Sequence, residues 1–300
     1  MRAYGSLVIV VAAWMAVSGC SVKRMGLERM ADAISATSSA FATDNDPEFV
    51  RLAAPSNLKM VEMMLEDQPR HHGLLSTACS GFTQYAYAFL QVDADAMEPS
   101  RAAEALELRA RAGRMYDRAR DYCLRALDIN VGGLRAELPT GKTQALSRTG
   151  RQDVPALFWL GASWGGSLAV SNAPAMRIGE IPIVRAVLKR ALELDPSWES
   201  GAIHEAMIAV EGLPPMLGGS PLRAREHFEK AVQLSEGASA FAYVTLATSV
   251  AQPAKDRAEF ERLLRAALAV DVARRPSLRL QNLIAQKRAR TLLARIETLF

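Results

Sequence analysis

The sequence lacks the features that mark several classes of protein. It has no low-complexity run, no polybasic tail and no second hydrophobic span beyond its first twenty residues. Its net charge is +4 over 300 residues, and loss of residues 1–19 would remove only Arg2 from that balance. A charge this small over this length is not the footprint of a nucleic-acid-binding protein.

Strand-like patterns are also missing, because no run of β-branched residues alternates with polar ones between turn signals. Ala, Leu, Arg and Glu dominate instead, and apolar residues recur every three or four positions. Three segments put a capping side chain just before a proline that the first helical turn tolerates: Asp46-Pro47, Asp153-Val154-Pro155 and Ser220-Pro221. These patterns predict an all-α protein whose antiparallel helices are joined by short loops.

The first twenty residues predict where the protein works. Arg2 precedes an apolar run from Leu7 to Val17, which is about half of the ~20 residues that a membrane-spanning helix needs. The sequence VSGC at 17–20 then matches a bacterial lipobox. We therefore expect residues 1–19 to be a lipoprotein signal peptide and Cys20 to be the lipidated first residue of an exported protein. An uncleaved signal anchor with a chance cysteine is the alternative.

Ser21, rather than Asp, follows the lipobox cysteine, a pattern typical of lipoproteins sent to the outer membrane of Gram-negative bacteria. We expect the protein to be lipid-anchored on the periplasmic side of that membrane. Residues 20–45 would form the lipidated N-terminus and tether, and residues 46–300 a helical repeat domain.

Two cysteines remain beside Cys20, in a compartment that permits disulfides. If their segments form a helical hairpin that turns near Asp95–Glu98, Cys79 faces about position 111. That position lies ~18 Å along the helix axis from Cys123. We therefore expect Cys79 and Cys123 to be two buried free thiols.

A recurring phrase closes four predicted helices. It reads ALDIN at 126–130, ALELDP at 191–196, AVQLS at 231–235 and ALAVD at 267–271. The Ala lets a neighbouring helix approach, the Leu-type residues enter the core, and Asp or Pro ends the helix. The last three copies start 40 and 36 residues apart. This spacing is close to the ~34 residues of the tetratricopeptide repeat, and it predicts similar helical hairpins stacked into a compact array. The polar segment 134–150 interrupts the array, and such insertions often lie on a binding face.

The segment GASWG at 161–165 fits the G-x-S-x-G nucleophile elbow of α/β-hydrolases, and Asp195 and His204 follow in the matching order. The elbow needs a strand before Ser163 and a parallel sheet around it, and no other strands are predicted. We therefore interpret the two glycines as sites of close helix contact, packed beside Trp159 and Trp164, and expect no enzymatic activity.

His204-Glu205 resembles half of a zinc motif, but position 208 is Ile where a second histidine would be needed. The whole chain has only four histidines, and we expect neither a metal nor another cofactor. Two roles remain open for His204: a buried hydrogen bond that ties two helices together, or a polar group in a ligand cavity.

The richest aromatic cluster lies at 80–89, where Phe82, Tyr85 and Phe89 share one helix face with polar side chains beside them. Core packing explains this pattern, and a small-molecule groove is the alternative. We expect the helices at 82–89, 158–164 and 203–211 to converge on the concave surface of the array. The ligand- or partner-binding residues we predict are Phe82, Gln84, Tyr85, Trp159, Trp164, His204 and Glu205. The basic helix at 277–300 is expected to cap the array with a solvated face.

Four segments carry a resemblance that the repeats do not explain: CSGFTQYAYAF at 79–89, DVPALFWLGA at 153–162, GGSP at 218–221 and the closing 283–300. Together with the lipobox, and in this order, they resemble the TatT family, the tetratricopeptide-like lipoproteins associated with TRAP transporters. The resemblance implies an all-helical periplasmic lipoprotein that partners the solute-binding protein of a TRAP system. It also implies a homotrimer with a ligand-sized pore or cavity in each protomer, and no catalytic residues.

Three functions therefore compete. The first is a transport accessory protein that binds the solute-binding protein and a small hydrophobic ligand. The second is a scaffold for outer-membrane assembly or the cell envelope that is built on similar repeats. The third is a serine hydrolase centred on Ser163.

Overall fold

The computed structural model of the protein describes residues 39–300 and the single residue 29. Cys20 and the predicted signal peptide lie outside the described residues. Between residues 39 and 300 the chain contains no strand, which confirms the all-α prediction. No helix in this range is both long and apolar enough to cross a membrane.

Fifteen α-helical segments follow one another in this range. They are α1 Ser39–Ala42, α2 Pro47–Asp67, α3 His72–Tyr85, α4 Val92–Ala96, α5 Ala102–Asn130, α6 Leu134–Glu137, α7 Val154–Ala169, α8 Pro174–Arg177, α9 Ile181–Leu194, α10 Ala202–Glu211, α11 Pro221–Leu234, α12 Ala240–Leu246, α13 Arg257–Ala269, α14 Arg279–Ala294 and α15 Ile296–Leu299. A π-helical segment, Ala86–Gln91, joins α3 to α4, and a second one, Ala247–Ala251, extends α12.

The predicted helix ends are in place. The four copies of the recurring phrase close α5 at Asn130, α9 at Leu194, α11 at Leu234 and α13 at Ala269. At the N-termini of α2 and α11, the side chains of Asp46 and Ser220 accept hydrogen bonds from backbone N–H groups of the first turn. The repeat phrase and the proline caps therefore both mark real helix boundaries.

The third predicted cap, Asp153, precedes α7 but bonds elsewhere. Its carboxylate accepts hydrogen bonds from the Gly150 N–H (2.8 Å) and from the side-chain amide of Asn130 (2.7 Å). The insertion at 134–150 is thereby fixed to the end of α5. Leu134, Leu138 and Leu146 of the insertion are buried, so this segment is part of the packed body.

Neighbouring helices pack in chain order from α3 and α5 through α7, α9 and α10 to α14. One buried cluster runs from α2 to α10 and a second from α10 to α14. Gly161 of α7 shows how tight the packing is, because a Cβ added there would lie 2.5 Å from the Leu188 side chain of α9. This confirms the interpretation of Gly161 as a site of close helix contact.

The prediction of free thiols is wrong, because Cys79 of α3 and Cys123 of α5 form a disulfide across a Cα–Cα distance of 4.9 Å. The error lies in where the hairpin turns. The α3–α4 arm continues to Ala96, and α5 begins only at Ala102 after the 3₁₀ turn Pro99–Arg101. Placing the turn later moves the position opposite Cys79 toward Cys123, and the straight-helix estimate therefore overstated their separation.

The C-terminal helix closes the array on its own N-terminal part, because α14 packs against α1, α2 and α4. Arg279 donates to the Thr43 carbonyl (3.0 Å), Arg288 to the Tyr87 hydroxyl (3.0 Å) and Arg295 to the Asp95 carbonyl (2.7 Å). The prediction of a solvated capping face is therefore wrong for these arginines. The basic side chains of α14 and of Arg295, which directly follows it, instead hold the two ends of the array together.

Candidate functional site

Ser163 does not lie in a nucleophile elbow. It is fully buried in the middle of α7, and its hydroxyl donates to the carbonyl of Leu160 (3.1 Å). Asp195 is paired with Arg151 (3.0 Å). The strand and sheet that the hydrolase motif requires do not occur between residues 39 and 300. The geometry therefore gives the hydrolase interpretation no support.

His204 forms the hydrogen bond between helices that was one of its two predicted roles. Its Nδ1 lies 2.8 Å from Nδ1 of His227, which joins α10 to α11. Burial, followed by the nearby His227 and Lys230, lowers the pKa of His204 to about 4. Burial also lowers the pKa of His227. Both rings are therefore neutral at pH 7, and one N–H is shared between them.

Glu205, the next residue of α10, points to a different neighbour. Its carboxylate accepts a hydrogen bond from the Gln281 amide of α14 (3.0 Å). Burial raises the pKa of Glu205 to about 7, although the hydrogen bonds that it accepts act in the opposite direction. The side chain therefore ties α10 to the helix that closes the array.

The predicted aromatic residues are mostly part of the core. Phe82 is buried, and its ring stacks on Tyr122 with centroids 5.9 Å apart. Tyr85 and Trp159 are half-buried and pack beside Phe89 and Phe158, respectively. Gln84 is exposed and donates to the Ser80 carbonyl of its own helix (3.3 Å).

The three helices that were expected to converge do contribute to one buried cluster, which includes Phe82, Trp164 and Ile203. They meet through packed apolar side chains. Of the seven predicted site residues, Trp164 lines an open groove on the described part of the surface. A binding role for the seven residues stays a prediction.

This groove, which we call the Trp164 groove, lies between α5, α7, the insertion that contains α6, and the segment 177–180 before α9, and it has a volume of about 700 Å³. Charged side chains of both signs form most of its wall. Its lining consists of Asp117, Arg120, Asp121, Leu124, Arg135, Pro139, Trp164, Arg177 and Glu180.

Trp164 and Glu180 form the centre of the groove. The indole Nε1 of Trp164 donates to the Glu180 carboxylate (2.6 Å), and Arg177 donates to the same carboxylate (2.7 Å). The guanidinium of Arg120 lies 5.1 Å from the Trp164 ring, within the range of a cation–π contact. The hydrogen bonds from Arg177, and secondarily from Trp164, lower the pKa of Glu180. Glu180 is therefore ionised, and both of its carboxylate oxygens accept hydrogen bonds.

The remaining wall is also paired. The Ser167 hydroxyl donates to Asp117 (2.7 Å) and accepts from Arg177 (2.8 Å), while Arg135 pairs with Asp121 (2.6 Å). Three cations and three carboxylates balance one another in this lining. Such a wall offers exchangeable ion pairs and hydrogen bonds, which suits a polar protein surface better than an apolar ligand.

The charged residues of the groove were not predicted from the sequence. The charges of both signs at 117–121 were one available signal, since Asp117, Arg120 and Asp121 share one face of α5. Nothing in the spacing showed that Arg177 and Glu180 would lie opposite them. That juxtaposition depends on how α7 packs against both α5 and α9.

Comparison with known proteins identifies the family. The sequence model of the family TAtT, TRAP transporter T-component, matches residues 43–300, which is most of the chain. A protein of Treponema pallidum (strain Nichols), described only as uncharacterized, is 26% identical over 302 residues, covering 94% of either chain. The chain therefore belongs to the TRAP transporter T-component family and is a component of such a transport system.

Proposed function

We propose that the protein is a periplasmic lipoprotein, tethered through Cys20, that assists its TRAP transporter by binding the extracytoplasmic solute-binding protein. The observation that carries the proposal is the family match over residues 43–300. The lipobox at 17–20 supports export and lipidation. The disulfide between Cys79 and Cys123 supports an oxidising compartment, since such bonds are rare in the cytosol.

The Trp164 groove is our candidate for the contact with the solute-binding protein. Arg135 is half-exposed at its rim and Arg120 is partly exposed deeper inside, so both can exchange their present partners for charges on another protein. Trp164 itself is 2% exposed and belongs to the core. Its loss would chiefly test stability, and the arginines are therefore the better probes of binding.

Two finer points rest on the resemblance to the family. We propose that the protein assembles as a homotrimer and that it accepts a small hydrophobic ligand. Tyr85 and Trp159 are the predicted aromatic residues that remain partly accessible to such a ligand. Sedimentation of the full-length protein in detergent tests the trimer directly.

The partnership is tested by binding of the full chain to the purified solute-binding protein that is encoded with the transporter. We expect a direct complex, and Arg135→Glu should weaken it at least ten-fold by reversing a charge at the rim of the groove. Arg111→Glu on the exposed side of α5 is the matched control. Unchanged affinity in Arg135→Glu would place the contact on another surface. The absence of any complex would contradict the proposed function.

The tether is tested by fractionation of cells that express Cys20→Ala. The wild-type protein should sediment with membranes, and the variant should remain in the soluble periplasmic extract because its lipid anchor cannot form. Continued membrane association of Cys20→Ala after a high-salt wash would show that another element binds the membrane.

A further inference from the structure

We propose that the exposed face of α2 lies on the surface of the membrane in which Cys20 is anchored, with the helix axis parallel to the bilayer. Four large apolar side chains of α2 are exposed: Phe49 by 62%, Leu52 by 77%, Met60 by 39% and Met63 by 61%. Together with Ser56 we call them the α2 stripe. The proposal rests on the lipid tether of the proposed function, and it adds an orientation that the tether alone does not give.

The α2 stripe follows one side of the helix. At 3.6 residues per turn its five positions fall within about 80° of one another around the helix axis, and they extend over about 21 Å along it. None of the five is charged, and the exposed Ser56 occupies the central position. The opposite side of α2 faces the core, where Leu58, Val61 and Leu65 are buried. This helix therefore has two apolar faces, and packing within the array covers one of them.

The position of α2 in the array makes its second apolar face unusual. It is the first long helix of the described chain, and it packs chiefly against α3. The terminal helices of repeat arrays normally carry a polar outer face, because no further repeat stacks on them. Single exposed apolar residues need no explanation, whereas a contiguous row of them marks an interaction surface. The α2 stripe is such a row.

The charged residues of α2 do not attract an anionic surface. Its two basic and four acidic residues leave the helix with a net charge of −2. Both basic residues are also paired within the protein, Arg51 with Asp93 (2.5 Å) and Lys59 with Glu62 (3.2 Å). Attraction to anionic lipid headgroups therefore cannot drive the contact. Burial of the apolar stripe at the boundary of headgroups and acyl chains can drive it, as it does for amphipathic helices that lie in the membrane interface.

The lipid anchor keeps the membrane within reach of α2. Cys20 precedes Pro47, the first residue of α2, by 27 positions, which span at most about 95 Å when fully extended. A tether of this length holds the bilayer at a high effective concentration beside the helix. A contact that is too weak to retain an untethered protein therefore becomes populated. This advantage belongs to the membrane and not to a freely diffusing protein, which is why we assign the stripe to lipid.

The test follows the surroundings of the stripe with a fluorescent label. Ser56→Cys carries a nitrobenzoxadiazole group at the centre of the stripe and leaves every apolar side chain in place. Cys79 and Cys123 are bonded to each other and do not react with the label. The lipidated protein is reconstituted in vesicles of phosphatidylethanolamine and phosphatidylcholine, and quenching by doxyl-labelled lipid and by aqueous iodide is measured. We expect lipid quenching at least three-fold stronger at Ser56→Cys than at Glu229→Cys, an exposed position of α11.

Two pairs of substitutions locate the contact. Leu52→Ser/Met63→Ser, combined with the labelled Ser56→Cys, should reduce lipid quenching to the level of the control position and increase quenching by iodide. Met216→Ser/Leu222→Ser is the matched control, because it removes two comparably exposed apolar side chains at the start of α11 and the turn before it. This control should leave both kinds of quenching unchanged. Thermal melting of each variant establishes that it is folded.

Three results would overturn the inference. A label at Ser56→Cys that iodide quenches and lipid does not would show that the stripe faces water. A label shielded from both quenchers would show that protein covers the stripe, as a second copy or another partner would. Lipid quenching that disappears at high salt would show electrostatic attachment, since an apolar contact is not weakened by salt. A protein that fails to float with the vesicles would instead contradict the lipid tether of the proposed function.

Discussion

Single residues show where sequence reasoning succeeds and where it stops. Asp46 and Ser220 were predicted as caps, and they are caps, because capping depends on the next three residues of the chain. A hydrogen bond between two helices was one of the two roles left open for His204, and its partner His227 was not named. His227 is 23 residues away in the sequence and becomes a neighbour of His204 only through the packing of α10 on α11. The local sequence around His204 does not show which side chain that packing brings to it.

Glu205 predicts a pH dependence of stability. Burial raises its pKa to about 7 in the folded chain, so the folded state retains a proton that the unfolded chain releases near the ordinary glutamate pKa of 4.5. Stability contributed by this group is therefore lost as the pH rises from about 4.5 through 7. Glu205→Gln keeps an oxygen for Gln281 and removes the titration, and it should raise the melting temperature more at pH 8 than at pH 5.

The measurement is a pair of thermal melts at the two pH values, with the exposed Glu229→Gln as control. The difference between pH 8 and pH 5 should be on the order of 2–3 kcal/mol for Glu205→Gln. The titration of His204 remains in both the wild type and the variant. Because its pKa is lowered to about 4, it reduces the stability of both proteins as the pH falls from 6.5 through 4. An equal effect of Glu205→Gln at both pH values would show that the carboxyl is ionised in the folded chain.

Gly219 explains one phrase of the family resemblance. In the GGSP segment, Gly218 has a φ of +81°, Ser220 caps α11 and Pro221 occupies its first turn. A Cβ on Gly219 would lie 1.7 Å from the carbonyl oxygen of Leu213, a backbone atom that cannot move aside easily. The turn before α11 therefore requires glycine at this position.

Gly219→Ala should accordingly destabilise the protein by about 1–3 kcal/mol, the usual cost of overpacking. Gly132→Ala is the control, because a Cβ there meets nothing within 4 Å and its φ is not positive. Urea denaturation of the two variants gives the comparison. Equal stability of Gly219→Ala and the wild type would mean that the 211–220 turn can open without cost.

At the scale of elements, the sequence predicted helix boundaries well and pairing less well. The recurring phrase ends α5, α9, α11 and α13 as expected, because apolar period and terminating residues are local properties. The contact between Cys79 and Cys123 was missed because it depends on the length of a turn that carries no periodic pattern. The basic α14 was misjudged for a related reason: charge alone does not show which surface a helix will contact.

The disulfide predicts how strongly α3 and α5 are held together. It closes a loop of 44 residues, for which the loss of unfolded-state entropy corresponds to about 2–4 kcal/mol. Reduction of the wild-type protein should lower its stability by that amount. The variant Cys79→Ala/Cys123→Ala should melt at the same temperature with and without reductant, since it has no bond to lose. A wild-type protein that is insensitive to reductant under denaturing titration would contradict the bond.

The whole molecule is an array whose ends meet, and ion pairs form much of that junction. Asp93 of α4 lies at its centre, since it pairs with Arg51 of α2 (2.5 Å) and with Lys287 of α14 (3.1 Å). The repeat period did not predict this junction, because Asp93 and Lys287 are 194 positions apart in the sequence.

Asp93→Ala should open the junction without unfolding the array. Removing a half-buried carboxylate that serves two cations should cost about 1–2 kcal/mol and should speed amide hydrogen exchange in 279–294 and 47–67. Glu104→Ala is the matched control, because it breaks only a pair with Arg101 that is exposed and local to one turn, and such surface pairs contribute little to stability. Hydrogen exchange with mass spectrometry distinguishes the two. Faster exchange spread evenly over all helices in Asp93→Ala would mean that the array unfolds as one unit, whereas acceleration confined to α2 and α14 would identify the junction as a separate unit held by charge.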